Sequence, residues 1–226
     1  MNDDVLFLFD VDNTLLDNDR FQRELREHLS ATWGDFVRDR YWSHFDALWA
    51  ELGYADYLGA VERYRLEVPH DSSLLRLGSW ILDYPFGNLL YPGAIEAVGH
   101  ARGFGRTVIL SDGDAVFQPR KVDRAGLWKA FDGAVLIYVH KQKELDAIER
   151  AYPAGRYVLI DDKLAILDAV KQGWGEKVTT VFPEQGHYAL DVDLVAKYPA
   201  PDLKIGRIAE LENFDLSKLK PARPSA

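Results

Sequence analysis

The sequence contains no cysteine and no long apolar run. Without cysteine, disulfides, cysteine-ligated zinc, iron–sulfur clusters and a thiol nucleophile are all excluded. No stretch approaches the roughly 20 apolar residues that a membrane-spanning helix needs. The chain begins Met-Asn-Asp-Asp, whereas a signal or transit peptide would be basic there. We therefore expect a soluble, cytoplasmic protein with no membrane partner.

Basic residues are also outnumbered. The 226 residues include 27 Lys and Arg against 36 Asp and Glu, which gives a formal net charge of -9. A protein that neutralises a phosphate backbone needs a basic face, so this balance argues against a nucleic-acid polymer as a partner. Apolar residues make up 47% of the chain, which is enough to bury a sizeable core and excludes disorder as the main state.

Five short apolar runs stand out, and they are continuous rather than alternating. Such runs of β-branched and aromatic residues are typical of strands buried on both faces of a parallel sheet. Helical patterns of two to three turns separate most of them, as βαβ connections require. The sequence therefore predicts an α/β fold with an open parallel sheet. The predicted strands are 5–9, 107–110, 134–139, 157–160 and 178–182, and the predicted helices are 94–102, 116–125, 144–151 and 164–171.

The long interval after the first strand is different, because residues 17–92 contain no convincing strand and far exceed a crossover connection. Apolar residues at positions 45, 48, 49 and 52 form the stripe of an amphipathic helix. The turn signal Pro92-Gly93 marks the return to the sheet. We predict a helical domain at 17–92, inserted into a core made of 1–16 and 93–226, and interpret most of its aromatic side chains as ordinary core.

The segment Asp-Val-Asp-Asn-Thr at 10–14 directly follows the first predicted strand. In open α/β sheets ligands bind at the carboxyl ends of the strands, so Asp10 and Asp12 lie where a site is expected. Taken alone, such a segment also serves as a turn or a helix cap. A calcium loop of the EF-hand type is excluded, because Leu15 and Phe21 stand where that loop needs Gly and Glu.

A second pair of acids, Asp161 and Asp162, follows the predicted strand 157–160. Two like charges after an apolar run resist ionisation unless a cation relieves them. Two such pairs on one sheet indicate oxygen ligands for a hard cation, and Mg²⁺ fits best because it uses few carboxylates together with substrate phosphate.

Two further strands also end in polar residues. Ser111, Asp112 and Gly113 follow 107–110, and they offer a hydroxyl and a glycine whose backbone can approach an anion. This is not a nucleophile elbow, because Ile109 stands where that motif needs glycine. The segment His-Lys-Gln-Lys at 140–143 places an ammonium group at the same edge. Each segment alone also has a structural explanation, but together they form the set that phosphoryl transfer to a carboxylate needs.

With these four strand ends, in this order and with a helical insert after the first, the chain resembles the haloacid dehalogenase-like superfamily over its whole length. The resemblance implies a Rossmann-like core with an α-helical cap domain between the first and second motifs. It also implies a Mg²⁺-dependent phosphatase that cleaves a small soluble phosphomonoester through an aspartyl-phosphate.

The resemblance assigns roles residue by residue. Asp10 matches the nucleophile, and Asp12 matches the general acid that later acts as base. Ser111 matches the hydroxyl that binds a phosphoryl oxygen, with Asp112 and Gly113 beside it. The implied metal ligands are Asp10, the backbone carbonyl of Asp12, Asp161 and Asp162. Thr14 would orient the loop at the phosphate by hydrogen bonding. Lys141 matches the lysine that offsets negative charge, and Lys143 is the other candidate.

Two departures from the family pattern are present. Asp112 stands where many relatives have asparagine, and Ile-Asp-Asp at 160–162 replaces the common Gly-Asp, which leaves open whether Asp161 or Asp162 contacts the metal directly.

The alternatives differ in what they require. A metal-independent dehalogenase has little use for Asp12 or for the paired acids at 161–162. A non-catalytic phosphate-binding module usually loses one of the four motifs, and a receiver-type domain would not need the large insert. A dinucleotide fingerprint must follow a strand, whereas the glycines at 99, 103 and 105 precede one.

Overall fold

Six parallel strands form a single sheet with the order β3-β2-β1-β4-β5-β6 in a computed structural model that describes residues 4–219. The first strand in the chain, β1, pairs with β2 on one side and with β4 on the other. The observed sheet confirms the predicted α/β class. The strands are β1 Val5–Phe9, β2 Arg106–Asp112, β3 Val135–Tyr138, β4 Arg156–Ile160, β5 Val178–Pro183 and β6 Leu203–Ile205.

The central strand is buried on both faces, which is why its sequence is apolar without alternation. Leu6 and Leu8 pack on one side against the helices at 145–151 and 164–174, whereas Phe7 and Phe9 face the side covered by the helices at 94–102 and 117–124. No helix within residues 4–219 is long and apolar enough to cross a membrane. The helices around the sheet are α5 Ala94–Arg102, α6 Phe117–Arg124, α7 Leu127–Ala130, α8 Leu145–Ala151, α9 Leu164–Trp174, α10 His187–Leu190 and α11 Val192–Val195.

The interval predicted to be an inserted domain is helical. Within 17–92, all of which the structure describes, there is no strand, and the helices are α1 Asn18–Trp33, α2 Asp35–Leu52, α3 Tyr57–Glu67 and α4 Leu74–Asp83. The segments that lead into and out of the inserted helices lie next to each other and are hydrogen-bonded. The Asp17 amide donates to the Leu89 carbonyl (2.8 Å), and the Tyr91 amide donates to the Leu15 carbonyl (2.9 Å). The division into two domains at these positions stays a prediction.

One strand was missing from the sequence prediction. β6 has only three residues, and just one of them, Ile205, is fully buried, so its apolar signal is too short to recognise. Its position at the sheet edge depends on Asp202, whose carboxylate accepts hydrogen bonds from the amide (2.8 Å) and hydroxyl (3.1 Å) of Thr180.

Candidate active site

A tight loop after β1 carries the first two carboxylates. The amides of residues 14–16 all donate to the carbonyl of Val11, at 2.9–3.3 Å. Asn13 adopts a left-handed conformation (φ 58°), which asparagine tolerates better than most residues, and its side-chain oxygen accepts hydrogen bonds from amides at the start of α1. The loop and the first turn of α1 therefore form one hydrogen-bonded unit that positions Asp10 and Asp12.

Three buried carboxylates meet at the carboxyl ends of β1 and β4. One oxygen from each of Asp10, Asp161 and Asp162 lies within 4.8 Å of the others. They come together because β1 and β4 are neighbours, and the Asp10 amide donates to the carbonyl of Ile160 at 2.9 Å. The structure thus brings together three of the four acids that the sequence placed on two separate strand ends.

A buried lysine, Lys141, lies against this cluster. The Nζ atom of Lys141 is 2.5 Å from Asp10 Oδ1 and 2.6 Å from Asp161 Oδ2, and it also donates to the Leu110 carbonyl at 3.2 Å. Lys143, the other candidate in the segment, is exposed. Lys141 is therefore the lysine of this segment that lies at the site, and its ammonium group contacts two of the three carboxylates.

Nearby positive charge does not offset the burial of these acids, although Lys163 as well as Lys141 acts on Asp10 and Asp162. Burial raises the pKa of Asp10 to about 6, against the opposing effect of Lys141 and with a further contribution from Asp161. Burial also raises the pKa of Asp162 well above its usual range. Neither carboxylate oxygen of Asp162 has a hydrogen-bond partner among the described residues. Buried, unpartnered carboxylate oxygens beside two further acids are a donor set that fits a hard divalent cation.

Asp12 faces a different partner, which sequence reasoning missed. The Nζ atom of Lys121 lies 2.8 Å and 2.9 Å from the two carboxylate oxygens of Asp12, and 3.1 Å from the side-chain oxygen of Asn18. Lys121 is only 1% exposed. Its ammonium group is also 5.0–5.9 Å from the ring centroids of Phe117, Tyr57 and Phe86.

Gln118, three residues before Lys121 on α6, bridges two of the predicted site residues. Its side-chain amide donates to the Ser111 hydroxyl at 2.9 Å and to Asp12 at 3.4 Å. The sequence does contain a signal for Gln118 and Lys121. Both are polar residues on the face of α6 that is buried, where apolar residues are expected. The buried positions of α6 are Phe117, Gln118, Lys121 and Val122.

The remaining predicted residues mainly connect the strand-end loops. The Thr14 hydroxyl, fully buried, accepts a hydrogen bond from the Asp162 amide at 3.1 Å. Asp112 accepts one from the Lys141 amide at 2.7 Å. Gly113 packs so closely on Gln118 that a Cβ atom would lie 2.6 Å from that side chain. Position 113 therefore has no room for a larger residue without movement of Gln118.

A cleft of about 250 Å³ opens above these strand ends. Its floor includes Asp12, Asp112, Gly113 and Gln118, and its roof comes from α1, α2 and the loop that follows α2. The arrangement places a buried carboxylate, Asp10, a second carboxylate, Asp12, a buried ammonium group and a cluster of acids that could hold a cation near one small cavity. Such a set can support displacement at phosphorus or at carbon by an aspartate.

The comparisons with known proteins identify the family of the chain. A family model described as "Hydrolase: haloacid dehalogenase-like hydrolase" matches residues 5–172, well over half of the chain. The chain is similar to a haloacid dehalogenase-like hydrolase from Burkholderia xenovorans LB400, with 53% identity and a TM-score of 0.90 over 94% of this chain and 99% of that one. No curated protein sequence matches it significantly.

More distant solved structures share the fold at 16% identity. L-2-haloacid dehalogenase from Xanthobacter autotrophicus, with chloropropionic acid covalently bound, covers 92% of this chain and 96% of its own at a TM-score of 0.62. The HAD-hydrolase YfnB from Bacillus subtilis, bound to magnesium, covers 92% and 98% at a TM-score of 0.62. The family model and the 53% identical relative show that the chain belongs to the haloacid dehalogenase-like hydrolases.

Proposed function

We propose that this hydrolase is a Mg²⁺-dependent phosphatase that cleaves a small phosphomonoester through an aspartyl-phosphate on Asp10. The observation that carries the proposal is the second carboxylate, Asp12, held at the cleft floor by Lys121 and Gln118. Cleavage of a phosphate ester needs a group that protonates the leaving oxygen, and Asp12 is the acid in place to do so.

The reaction follows two displacements at phosphorus. An Asp10 oxygen attacks phosphorus, a new O–P bond forms, and the bond from phosphorus to the ester oxygen breaks as that oxygen takes a proton from Asp12. In the second step Asp12 removes a proton from water, the water oxygen attacks phosphorus, and the bond to Asp10 breaks. Phosphate leaves, and both carboxylates return to their starting states.

The other residues bind and orient the phosphoryl group. The Ser111 hydroxyl and the Lys141 ammonium group donate to its oxygens, while Gln118 holds Ser111. Asp10, Asp161 and Asp162 would hold Mg²⁺ together with the carbonyl of Asp12. When bound, the ion supplies charge neutralisation for the carboxylates and for a phosphoryl oxygen.

A dehalogenase reaction is the competing function. The names of several relatives of similar fold support it, as does the buried lysine against Asp10, since a carboxylate that displaces halide from carbon needs no metal. A dehalogenase would not need Asp12 and its partner Lys121, because halide departs without a proton. It would also not need the Asp162 carboxylate, which has no hydrogen-bond partner among the described residues, because it uses no metal. We therefore place phosphate ester cleavage first.

The test is release of phosphate from 4-nitrophenyl phosphate by the full chain with Mg²⁺ and with EDTA. We expect turnover only with Mg²⁺, and Asp10→Asn should abolish it because the amide is not a nucleophile. Asp146→Asn, an exposed acid on α8, is the matched control and should retain full activity. Equal activity in EDTA, or Mg²⁺-independent chloride release from 2-chloropropionate, would contradict the proposal.

A further inference from the structure

Lys163 brings a positive charge to the cleft. It directly follows Asp162 in the sequence, and it is one of the residues that line the cleft. Its ammonium group has no hydrogen-bond acceptor and no ion pair among residues 4–219. Burial opposes the charge, but Asp162 and other nearby acids outweigh this effect and hold the pKa of Lys163 above its usual range. The side chain is therefore a cation at neutral pH.

Two aromatic rings lie close to this ammonium group. Its Nζ atom is 5.0 Å from the ring centroid of Tyr188 on α10 and 5.8 Å from that of Trp49 on α2. Cation–π contacts attract a cation, but they do not occupy its N–H donors as a carboxylate or carbonyl oxygen would. The rings therefore hold the charge at the cleft and leave it available to an anion.

The other basic side chain that lines the cleft already has a partner. His187 bonds to the Asp19 carboxylate at 2.6 Å. Asp46 is an exposed acid in the same lining, and it forms no ion pair with Lys163 or with any other described residue. Among the described residues of this lining, Lys163 is thus the cation without a counter-ion. A bound anion would supply what the protein does not.

Lys163 is also connected to the reacting end of the site. Its amide donates to Asp161 Oδ1 at 2.8 Å, and its charge opposes the rise in the pKa of both Asp10 and Asp162. Asp12, the acid that would protonate the leaving oxygen, lines the same cleft as Lys163. The alcohol part of an ester cleaved at Asp10 therefore extends from Asp12 into the cleft that Lys163 lines.

We propose that the substrate carries a second anionic group, a carboxylate or a second phosphate, which binds the Lys163 ammonium group while Asp10 attacks the phosphoryl group. This inference rests on the proposed phosphatase function and deepens it, because it gives the charge of the alcohol part of the ester. Lys163 is then a specificity-determining residue, and it exchanges no proton in the reaction.

The test uses two pairs of esters, and the members of each pair differ mainly in one anionic group. The first pair is 2-phosphoglycolate and its amide, and the second is 1,2-ethanediol bisphosphate and 2-hydroxyethyl phosphate. For the wild-type chain with Mg²⁺, kcat/KM should be about tenfold to 100-fold higher for the more anionic member of at least one pair, mainly through KM, because hydrogen bonds between charged groups are strong. The pair with the larger ratio identifies the second anion.

Lys163→Met removes the charge and preserves the length of the side chain, so the ratio should fall to near one. Lys163→Arg keeps the charge and should keep most of the ratio. An effect of either substitution on Asp10 or Asp162 acts on both members of a pair and cancels in the ratio. The control is Lys143→Met, which removes an exposed lysine outside the cleft and should preserve the wild-type ratio.

Two results would overturn the inference. Ratios near one for both pairs in the wild type would show that the cleft does not select a second anion. A ratio that persists in Lys163→Met would show that another group, such as the metal ion, binds that anion.

Failure of this inference can be separated from failure of the proposed function. Hydrolysis of 4-nitrophenyl phosphate reports on the phosphatase reaction without a second anion. If no ester is hydrolysed, the proposed reaction is wrong, and calorimetric binding of 2-phosphoglycolate and its amide still measures the charge preference. Tighter binding of the acid that Lys163→Met abolishes would support the inference, whereas equal dissociation constants in the wild type would refute it.

Discussion

Lys121 is the residue that most directly controls Asp12. It is buried, it contacts both carboxylate oxygens, and it reaches them from α6, 109 residues further along the chain. An ammonium group held this firmly restricts where the carboxylate can lie. In the proposed reaction, the geometry of proton transfer to the leaving oxygen would therefore depend on Lys121, which does not line the cleft.

Replacing Lys121 by methionine tests this dependence. For an alkyl phosphate we expect kcat to fall about 10-fold to 100-fold, since a well-placed general acid contributes roughly 10²–10⁴. For 2,4-dinitrophenyl phosphate, whose leaving oxygen needs little protonation, formation of the aspartyl-phosphate should fall much less, as measured by the burst of dinitrophenol. An equal fold-loss of kcat for the alkyl phosphate and of the burst rate for 2,4-dinitrophenyl phosphate would show that Lys121 has only a structural role.

Stability must be separated from this effect, because breaking a buried ion pair costs about 3–5 kcal/mol. Lys129→Met, an exposed lysine on α7, controls for loss of a positive charge. The double variant Lys121→Met/Asp12→Asn removes both charges and should recover part of the lost stability without recovering activity. Urea unfolding of the three variants measures this directly.

The buried acids predict a link between pH and Mg²⁺. Because burial raises the pKa of Asp10 to about 6 and that of Asp162 well above its usual range, the fold favours their protonated forms. Without a cation, the contribution of Asp10 to stability is present at low pH and is lost as pH rises through about 6, and that of Asp162 is lost above the usual carboxyl range. Mg²⁺ competes with these protons, so its stabilising effect should grow over the same interval.

At pH 7.5 and about 100 times its Kd, Mg²⁺ should raise Tm by roughly 5–10 °C, and at pH 5 by much less. Asp162→Asn should remove most of the response at pH 7.5 and leave the Mg²⁺-free protein at least as stable as the wild type. Asp146→Asn should respond as the wild type does. A Tm that is indifferent to Mg²⁺ at pH 7.5 would contradict the proposed metal site.

At the scale of secondary structure, α6 joins the sheet to the inserted helices. Phe117 at its start is 1% exposed, and its ring centroid lies 5.1–5.8 Å from those of Tyr57, Phe86 and Phe21. The next turn of the same helix carries Lys121. The packing that secures α6 therefore also secures the partner of Asp12.

We expect Phe117→Ala to lower the free energy of unfolding by about 3–5 kcal/mol, because it removes a large ring from the core and leaves a cavity. Val116→Ala, at the neighbouring and 61% exposed position, should change it by less than about 0.5 kcal/mol. Chemical unfolding measures both. If kcat of Phe117→Ala is unchanged below its melting transition, the packing of Phe117 is not needed to position Lys121 at Asp12.

The same helix shows where prediction from sequence succeeds and where it ends. Strands β1 to β5 were predictable because short continuous apolar runs are typical of strands buried in a parallel sheet. The acids at 10–12 and 161–162 were recognised because they directly follow two of these strands. β6 was too short to give a pattern. Lys121 and Gln118 were missed because their importance depends on long-range partners that local periodicity does not reveal, although polar residues on the buried face of a helix were a usable signal.

At the scale of the whole molecule, the formal charge of -9 has a consequence for the proposed substrate. A phosphomonoester dianion approaches a protein of the same sign, and the charges that favour its binding are local and buried. Distant repulsion is screened by salt, since the Debye length falls from about 30 Å at 0.01 M to about 8 Å at 0.15 M, whereas close contacts at the cleft floor are screened much less.

Raising ionic strength over that range should therefore increase kcat/KM for 4-nitrophenyl phosphate, about twofold to fivefold, with Mg²⁺ held saturating at each point. The gain should appear in KM, because chemistry after binding is shielded from bulk salt. 2-Aminoethyl phosphate has an ammonium group that offsets one of its charges, so its kcat/KM should rise less. A decrease with salt for both esters would mean that local positive potential at the cleft outweighs the net charge of the molecule.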